Sequence, residues 1–111
     1  MEKQAMQNYV DALNSNDPAA VGAIFADECY FSDGATRIIN LPDGVGTSPA
    51  EVEAVFQGIM SQFKVSVEIL KMNDRSMEYD VYLGEEVTLP CVGAVTLDEN
   101  GKVKEYIIRP R

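Results

Sequence analysis

Apolar residues in the first part of the chain recur at the spacing of amphipathic helices. Residues 2–14 carry them on one stripe, as in a helix that packs one face against a core; the stripe consists of Ala5, Met6, Tyr9, Val10 and Leu13. Asp17 and Pro18 are a typical helix start, since Asp caps the first turn and Pro fits its first position. The second helix is therefore predicted to begin there, to end near Asp27 and to bury three residues, namely Val21, Ile24 and Phe25.

A short strand, an irregular segment and a third helix follow. Residues 29–31, Cys-Tyr-Phe, favour a β-strand, and the turn signal Asp33-Gly34 closes it. Residues 34–47 are predicted to form a loop, in which Ile38-Ile39 is a candidate for a short strand. The third helix, 48–63, begins with the capping box Ser48-Pro49-Ala50-Glu51. Its apolar face consists of Val52, Val55, Phe56, Ile59, Met60 and Phe63.

From Lys64 onward, apolar and polar residues alternate, which is typical of β-strands with one buried face. The predicted strands are 65–69, 77–83, 87–97 and 103–109. Pro90 lies inside the third of these, where a proline indicates a bulge or an edge position. The order of elements predicts an α+β fold. In this fold, a curved antiparallel sheet wraps around helix 48–63, and the two N-terminal helices cover its open end.

The length and composition fit one soluble domain that spans residues 1–111. The chain is 46% hydrophobic and 24% charged, which are ordinary values for a globular protein, and its length suffices for one core. No window approaches the roughly 18 apolar residues of a membrane span, and the first residues lack the basic start and apolar run of a signal peptide. These observations predict a cytoplasmic protein that does not associate with membranes.

Several classes of function are excluded or disfavoured by the composition. The chain contains no histidine, which excludes Ser-His-Asp and Cys-His catalysis and histidine-bearing zinc sites. The net charge of −9 argues against nucleic-acid binding, which depends on clustered Lys and Arg. Cys29 and Cys91 lie in apolar strand-like runs, so two buried thiols are favoured over a disulfide. Proton transfer would therefore fall to carboxylates, Tyr, Lys or Cys.

A few polar or small residues stand where the pattern favours large apolar ones. Tyr9 lies in the centre of a predicted buried stripe, and its hydroxyl needs either a backbone acceptor, which is the commoner case, or a ligand. Asp33 ends the first predicted strand, where it either serves the following turn or faces a site. Cys91, Gly93 and Val95 share one strand face, and a glycine there indicates a bulge or a close approach.

These positions carry a resemblance to the ketosteroid isomerases of the nuclear transport factor 2-like superfamily, whose fold is also called cystatin-like. The resemblance rests first on the spacing between Tyr9 and Asp33, which are 24 positions apart. It rests also on four segments, which are Asn8-Tyr9-Val10-Asp11-Ala12-Leu13, Asn16-Asp17, Phe25-Ala26-Asp27-Glu28 and Leu97 to Val103. It covers nearly the whole chain and implies a conical pocket without a metal or other cofactor. It further implies that Asp33 is the general base that moves a proton between two carbons of an enone. Tyr9 would be the hydrogen-bond donor to the dienolate oxygen.

The chain departs from the family pattern at two positions of the expected pocket. The predicted lining residues are Phe25, Phe56, Met60, Cys91, Gly93 and Val95. Gly93 stands where the family has its second oxyanion donor, and Phe25 stands where a Tyr often supports the catalytic one. Epoxide hydrolysis and polyketide cyclisation, which are related activities of the superfamily, would pair Asp33 with a second acid or with an Arg. Arg37 follows Asp33 closely.

Three functions remain open at this point. The first is an isomerase or related proton-transfer enzyme that acts on a small apolar carbonyl compound. The second is a non-catalytic module that binds a small apolar ligand, in which Gly93 enlarges the pocket. The third is an interaction module. We also expect a homodimer through the exposed face of the sheet, because its strands carry apolar residues on both faces, for example Tyr82, Val92 and Ala94.

Overall fold

Helices occupy the first half of the chain and four of the six strands occupy the second half, in a computed structural model that describes all residues 1–111. The helices are α1 (Glu2–Ser15), α2 (Pro18–Gly22) and α3 (Pro49–Met60), and a 3₁₀ segment covers Ala35–Ile39. The strands are β1 (Phe25–Asp33), β2 (Gly44–Gly46), β3 (Val65–Met72), β4 (Ser76–Leu83), β5 (Val87–Leu97) and β6 (Val103–Pro110). The predicted α+β class is confirmed.

The helix starts follow the capping chemistry that the sequence predicts. The Asp17 side chain accepts a hydrogen bond from the backbone N–H of Ala19 at 3.0 Å, and the Ser48 hydroxyl accepts one from that of Glu51 at 3.2 Å. Such bonds satisfy amide groups that have no partner within the first turn of a helix. α1 ends where Asn16 adopts a left-handed conformation with φ of 54°. These caps fix where α2 and α3 begin.

The second helix is shorter than the sequence predicts, because the sheet recruits the residues that follow it. α2 ends at Gly22, and Phe25 opens β1 and pairs with Val103 of β6. The backbone N–H of Val103 also donates to the carbonyl of Ile24 at 3.0 Å. The expectation of a helix that continues to Asp27 is therefore wrong: main-chain bonds to β6 place these residues in an extended segment.

The sheet has the strand order β2-β1-β6-β5-β4-β3 and is mixed rather than wholly antiparallel. β1 and β6 run parallel, and all other neighbouring pairs are antiparallel. A parallel pair needs a long crossover connection, and the chain between β1 and β6, which contains α3 and three strands of the sheet, supplies it. The prediction of a purely antiparallel sheet is wrong at this one pair.

Two smaller expectations concern local structure in the loop and in β5. Ile38-Ile39 belongs to the 3₁₀ segment and not to a strand, and the short strand of this region is β2. Pro90 causes no bulge, since its pairing with Asp80 lies within a continuous register. The Pro90 carbonyl accepts a hydrogen bond from the backbone N–H of Arg111, which lies just beyond the end of β6. The N–H that proline lacks would point to this same side, where the pairing of β5 with β6 ends.

The core lies between the concave face of the curved sheet and the helices. α3 packs against β1 and β2, whereas α1 packs against β3, β4 and β5. The inward residues of β4 are Met77, Tyr79, Val81 and Leu83, and they alternate with half-buried outward residues as a period of two requires. The sheet therefore packs against both α1 and α3. No helix has both the length and the apolar character that crossing a membrane requires.

Candidate functional site

An apolar cavity that opens to the surface lies where α1, the 3₁₀ segment, the end of α3 and strands β4 and β5 meet. It offers about 40 Å³ to the centres of water-sized molecules, and 12 of its 14 lining residues are hydrophobic. The inner wall is formed by buried residues, which are Tyr9, Leu13, Ala35, Phe56, Val81 and Cys91. The mouth is formed by half-buried or exposed residues, which are Ile39, Leu41, Ile59 and Phe63. A ligand in this cavity would meet mainly carbon.

Asp33 is the only ionisable carboxyl that lines the cavity. It is the last residue of β1, where it pairs with Gly44 of β2 and Ile108 of β6. Its Oδ1 accepts a hydrogen bond from the backbone N–H of Ala35 at 3.0 Å, which is the turn role that a strand-ending Asp often has. Its Oδ2 makes no hydrogen bond within the protein, yet no buried side-chain oxygen is left unsatisfied. Oδ2 is therefore accessible to a small molecule, and Asp33 is one of the residues that line the cavity.

Burial raises the pKa of Asp33 to about 6, because the charged form is poorly solvated in these surroundings. The hydrogen bond from Ala35 lowers this pKa in part, Asp43 raises it further, and Arg109 lowers it again. No cation lies within 4.0 Å of the carboxylate. Desolvation therefore raises the proton affinity of this carboxylate towards neutral pH.

Tyr9 projects from the buried stripe of α1 and lines the same cavity as Asp33. Its ring packs edge-on against Tyr106, with 4.7 Å between ring centroids, and against Phe56, with 6.1 Å. Such edge-to-face contacts fix the position of an aromatic ring. The residue is 2% exposed, and its hydroxyl donates to no backbone carbonyl. Tyr9 is thus held rigidly with a hydroxyl that can serve a ligand.

Two further tyrosines form a hydroxyl network behind Tyr9. The Tyr106 hydroxyl donates to the Tyr79 hydroxyl at 3.0 Å, which leaves the Tyr79 proton free for another acceptor. The Tyr79 hydroxyl lies beside Tyr9 and lowers the pKa of Tyr9, although burial and the neighbouring Tyr106 hold that pKa well above its usual value. Burial likewise raises the pKa values of Tyr79 and Tyr106. All three hydroxyls are therefore neutral donors at physiological pH.

Cys91 and Thr36 are the remaining polar groups of the cavity. The Cys91 thiol donates to the carbonyl of Leu89 at 3.2 Å, and burial, with a contribution from Asp33, raises its pKa to about 12. The Thr36 hydroxyl donates to the carbonyl of Pro42 at 2.9 Å. Both groups already have partners, and a thiol with this pKa is a poor nucleophile.

Two arginines lie just outside the cavity beside Asp33. A Cβ atom at Gly34 would lie 3.2 Å from atoms of both Arg37 and Arg109, so the glycine permits their close approach. Arg37 makes two hydrogen bonds to the Asp43 carboxylate, at 2.7 and 2.8 Å. Arg109 donates to the carbonyl of Ile108 at 2.7 Å and to the hydroxyl of Ser32 at 3.1 Å. Arg37 is therefore engaged by Asp43 and not by Asp33.

The structure places some of the predicted site residues around one cavity and others elsewhere. Tyr9, Asp33, Phe56 and Cys91 line it. The other four, which are Phe25, Met60, Gly93 and Val95, do not. Phe25 packs edge-on against Phe31 at 5.6 Å between centroids, Met60 is half-buried near the end of α3, and Val95 is buried in the core.

Gly93 neither enlarges the pocket nor leaves space for a second donor. A Cβ atom there would lie 2.5 Å from the Tyr106 hydroxyl oxygen, because the Tyr106 ring occupies the space above Gly93. The close approach that a strand glycine indicates is therefore present, but its partner is a tyrosine ring and not a ligand. This corrects the expectation that Gly93 lines the cavity.

Tyr79 and Tyr106 are the residues of the network that the sequence patterns did not single out. Both stand at inward positions of alternating strands, so their burial could be predicted, but alternation cannot reveal that two rings on different strands share a hydroxyl contact. The two cysteines are unpaired and buried, as expected.

Comparison with known proteins identifies the fold. No protein-family profile matches the chain, and no curated protein matches it. A crystal structure from Methylobium petroleophilum PM1, of a protein of unknown function with a cystatin-like fold, is similar to it with a TM-score of 0.76 and 15% sequence identity. The match covers 98% of this chain and 74% of that one. At this identity the likeness shows that the chain has a cystatin-like fold, and it shows the fold alone.

Proposed function

We propose that the protein is a proton-transfer isomerase that acts on a small apolar carbonyl compound, with Asp33 as the general base and Tyr9 as the hydrogen-bond donor. The observation that carries the proposal is the unpartnered Oδ2 of Asp33 in an apolar cavity that Tyr9 also lines. A base works best when its pKa lies near the operating pH. The pKa of Asp33, about 6, meets this condition.

The proposed reaction moves a double bond into conjugation with a ketone. The Asp33 carboxylate removes a proton from the carbon between the carbonyl and the double bond, and the electron pair delocalises into a dienolate. The protonated Asp33 then returns the proton to the far end of the dienolate. Asp33 returns to its carboxylate form, and the substrate neither gains nor loses a proton overall. A single carboxylate therefore suffices.

The Tyr9 hydroxyl would stabilise the dienolate oxygen while it carries negative charge. A donor placed before the reaction needs no reorganisation as charge develops, and removing one such donor costs about 10²–10³-fold in rate. Tyr79 and Tyr106 support this role, because their hydroxyls stand behind Tyr9 and their burial keeps them protonated. Tyr9 is the single free donor of the cavity, since Thr36 and Cys91 have backbone partners.

A second candidate function is the binding of a small apolar ligand without turnover. The observation that favours it is the same scarcity of donors: Tyr106 fills the place where a second donor would stand, and 12 of 14 lining residues are hydrophobic. The two candidates differ in what they require of Asp33. Catalysis needs the carboxylate of Asp33. The affinity for an apolar ligand, in contrast, should stay the same or increase when the charge is removed.

The test is an assay of double-bond migration in a β,γ-unsaturated ketone, followed by the absorbance of the conjugated product. We expect Asp33→Asn to lower kcat/KM by at least the 10²–10⁴-fold that acid–base catalysis contributes. Tyr9→Phe should lower it by about 10²–10³-fold. In the wild type, kcat/KM should fall as the pH drops through about 6, because protonation removes the base.

Asp27→Asn is the matched control, since Asp27 is an exposed carboxyl on the same strand. It should retain the wild-type rate. Equal rates for the wild type and Asp33→Asn would contradict the proposal. Ligand binding that survives in Asp33→Asn, with no turnover by any variant, would favour the non-catalytic candidate.

A further inference from the structure

The size of the cavity limits what can reach Asp33. On the measure used above, one water molecule needs roughly 10–15 Å³, so a space of 40 Å³ holds about three. An apolar cavity that takes up benzene has about 150 Å³. A single ring beside Asp33 would therefore already extend into the mouth, and a fused polycyclic skeleton is far too large.

Widening the inner wall of the cavity for a larger molecule would cost considerable packing energy. Tyr9, Phe56, Val81 and Cys91 are buried on regular helices and strands, and close-packed interiors resist added volume. The mouth differs, because Leu41 is 51% exposed although it lines the cavity. Any part of a ligand that does not fit inside must therefore extend through the mouth, where Leu41 is the most exposed lining residue.

The charges of the site restrict the ligand further. The lining contains one ionisable carboxyl, Asp33, and neither Lys nor Arg. An anionic ligand would face this carboxylate in an apolar environment without a compensating cation, which is costly. The cavity therefore favours neutral molecules.

From these features, which rest on the proposed function, we infer that the substrate is a small neutral unsaturated ketone built on a single ring or a short chain, and that Leu41 limits its length at the mouth. Fused polycyclic ketones are excluded from the productive position beside Asp33. The inference concerns the substrate class and is testable by binding alone.

Phenols are suitable probes, because their hydroxyl mimics the enolic oxygen and their rings vary in size without changing the chemistry. Calorimetric titration of the full chain with phenol, 2-naphthol and a fused polycyclic phenol should give a Kd for phenol at least tenfold below that for the polycyclic compound. Equal or tighter binding of the larger phenols would overturn the inference. Failure of all three to bind would overturn it as well.

Leu41→Ala tests the mouth, and Ile38→Ala is its matched control. Ile38 is a neighbouring apolar residue that is 43% exposed and does not line the cavity. Leu41→Ala should reduce the discrimination between phenol and 2-naphthol at least threefold, whereas Ile38→Ala should leave it unchanged. An unchanged ratio in Leu41→Ala, or an equal change in both variants, would contradict the role of Leu41.

Turnover distinguishes failure of this inference from failure of the proposed function. If phenol binds more tightly than the larger phenols but no β,γ-unsaturated ketone is isomerised, the proposed function fails and the size limit stands. If a polycyclic β,γ-unsaturated ketone is isomerised with a higher kcat/KM than a single-ring one, the proposed function stands and the size limit fails.

Discussion

The two carboxylate oxygens of Asp33 have different surroundings, and each explains one of the roles that a strand-ending Asp can have. Oδ1 accepts from Ala35 and orders the turn into the 3₁₀ segment, whereas Oδ2 has no partner in the protein. The hydrogen bond from Ala35 occupies Oδ1, so this oxygen is not free for a ligand. The same bond also fixes the orientation of the carboxyl group and thereby the direction of Oδ2. Structural and functional roles of this residue are therefore compatible.

Asp33→Asn should stabilise the protein at neutral pH. The pKa of Asp33 is about 6 in the folded protein and about 3.8 in the unfolded chain. Between pH 3.8 and 6, the folded protein therefore binds a proton at Asp33 that the unfolded chain has mostly lost. The wild type then loses stability as the pH rises from about 4 to about 6, by roughly 3 kcal/mol from this group. Asn carries no charge and keeps an oxygen for the Ala35 bond.

The measurement is urea unfolding of both proteins at several pH values. Asp33→Asn should be the more stable protein at pH 7–8, by about 1–3 kcal/mol, with a difference that shrinks towards pH 4. A variant that is less stable at pH 7–8 would mean that the carboxylate serves the turn better than an amide does and that its burial costs little.

At the scale of single residues, the sequence predicts positions better than partners. Tyr9 on the stripe of α1 and Asp33 at the end of β1 line the same cavity. The strand face of Gly93 and the family pattern both favour a place at the cavity, but neither reveals which neighbouring side chain fills the space above this glycine. Tyr106, which does so, is separated from Gly93 by 13 positions in the chain and comes close only through the pairing of β5 with β6.

At the scale of elements, helix starts and strand alternation were predictable because they depend on nearby residues. The capping residues Asp17 and Ser48 act within three positions. The end of α2 and the parallel pairing of β1 with β6 were not predictable in this way, because bonds to a strand some 80 positions away decide them. The local pattern of residues 24–25 fits a helix and a strand equally well.

The packing between β5 and β6 makes Gly93 intolerant of any side chain. Gly93→Ala should lower the free energy of unfolding by about 1–3 kcal/mol, the usual cost of forcing extra atoms into a packed core. The reason is the Tyr106 hydroxyl oxygen, which would lie 2.5 Å from the new Cβ. Gly93→Asp should be worse, since it adds a carboxyl to the same space and does not create a donor in the cavity.

Gly58→Ala is the matched control for this substitution, because a Cβ atom at that helical glycine meets nothing within 4 Å. It should raise stability by about 0.5–1 kcal/mol, as Ala is favoured over Gly in a helix. Chemical unfolding of the three proteins gives the comparison. If Gly93→Ala is as stable as the wild type, the Tyr106 ring is free to move and the space above Gly93 is available after all.

At the scale of the whole molecule, the outward face of the sheet carries apolar side chains among charged ones. Its outward positions include the exposed Tyr30 and Val45 and the half-buried Val92 and Ile107, while the concave face already supplies the core. Exposed apolar patches on one face often mark an interaction surface. The homodimer remains a prediction, and a second copy of the chain would cover this face.

Val92→Glu tests the homodimer, because Val92 faces outward on β5 between Glu78 of β4 and Arg109 of β6. We expect the wild type to sediment as a dimer at tens of micromolar, a concentration at which a dimer of ordinary affinity persists. Val92→Glu would place a carboxylate against its own copy and raise the dimer Kd at least tenfold. Gln57→Glu, an equal charge change on the exposed side of α3, should leave the dimer intact. A wild type that is monomeric at this concentration, or equal dissociation of both variants, would contradict an interface on the outward face.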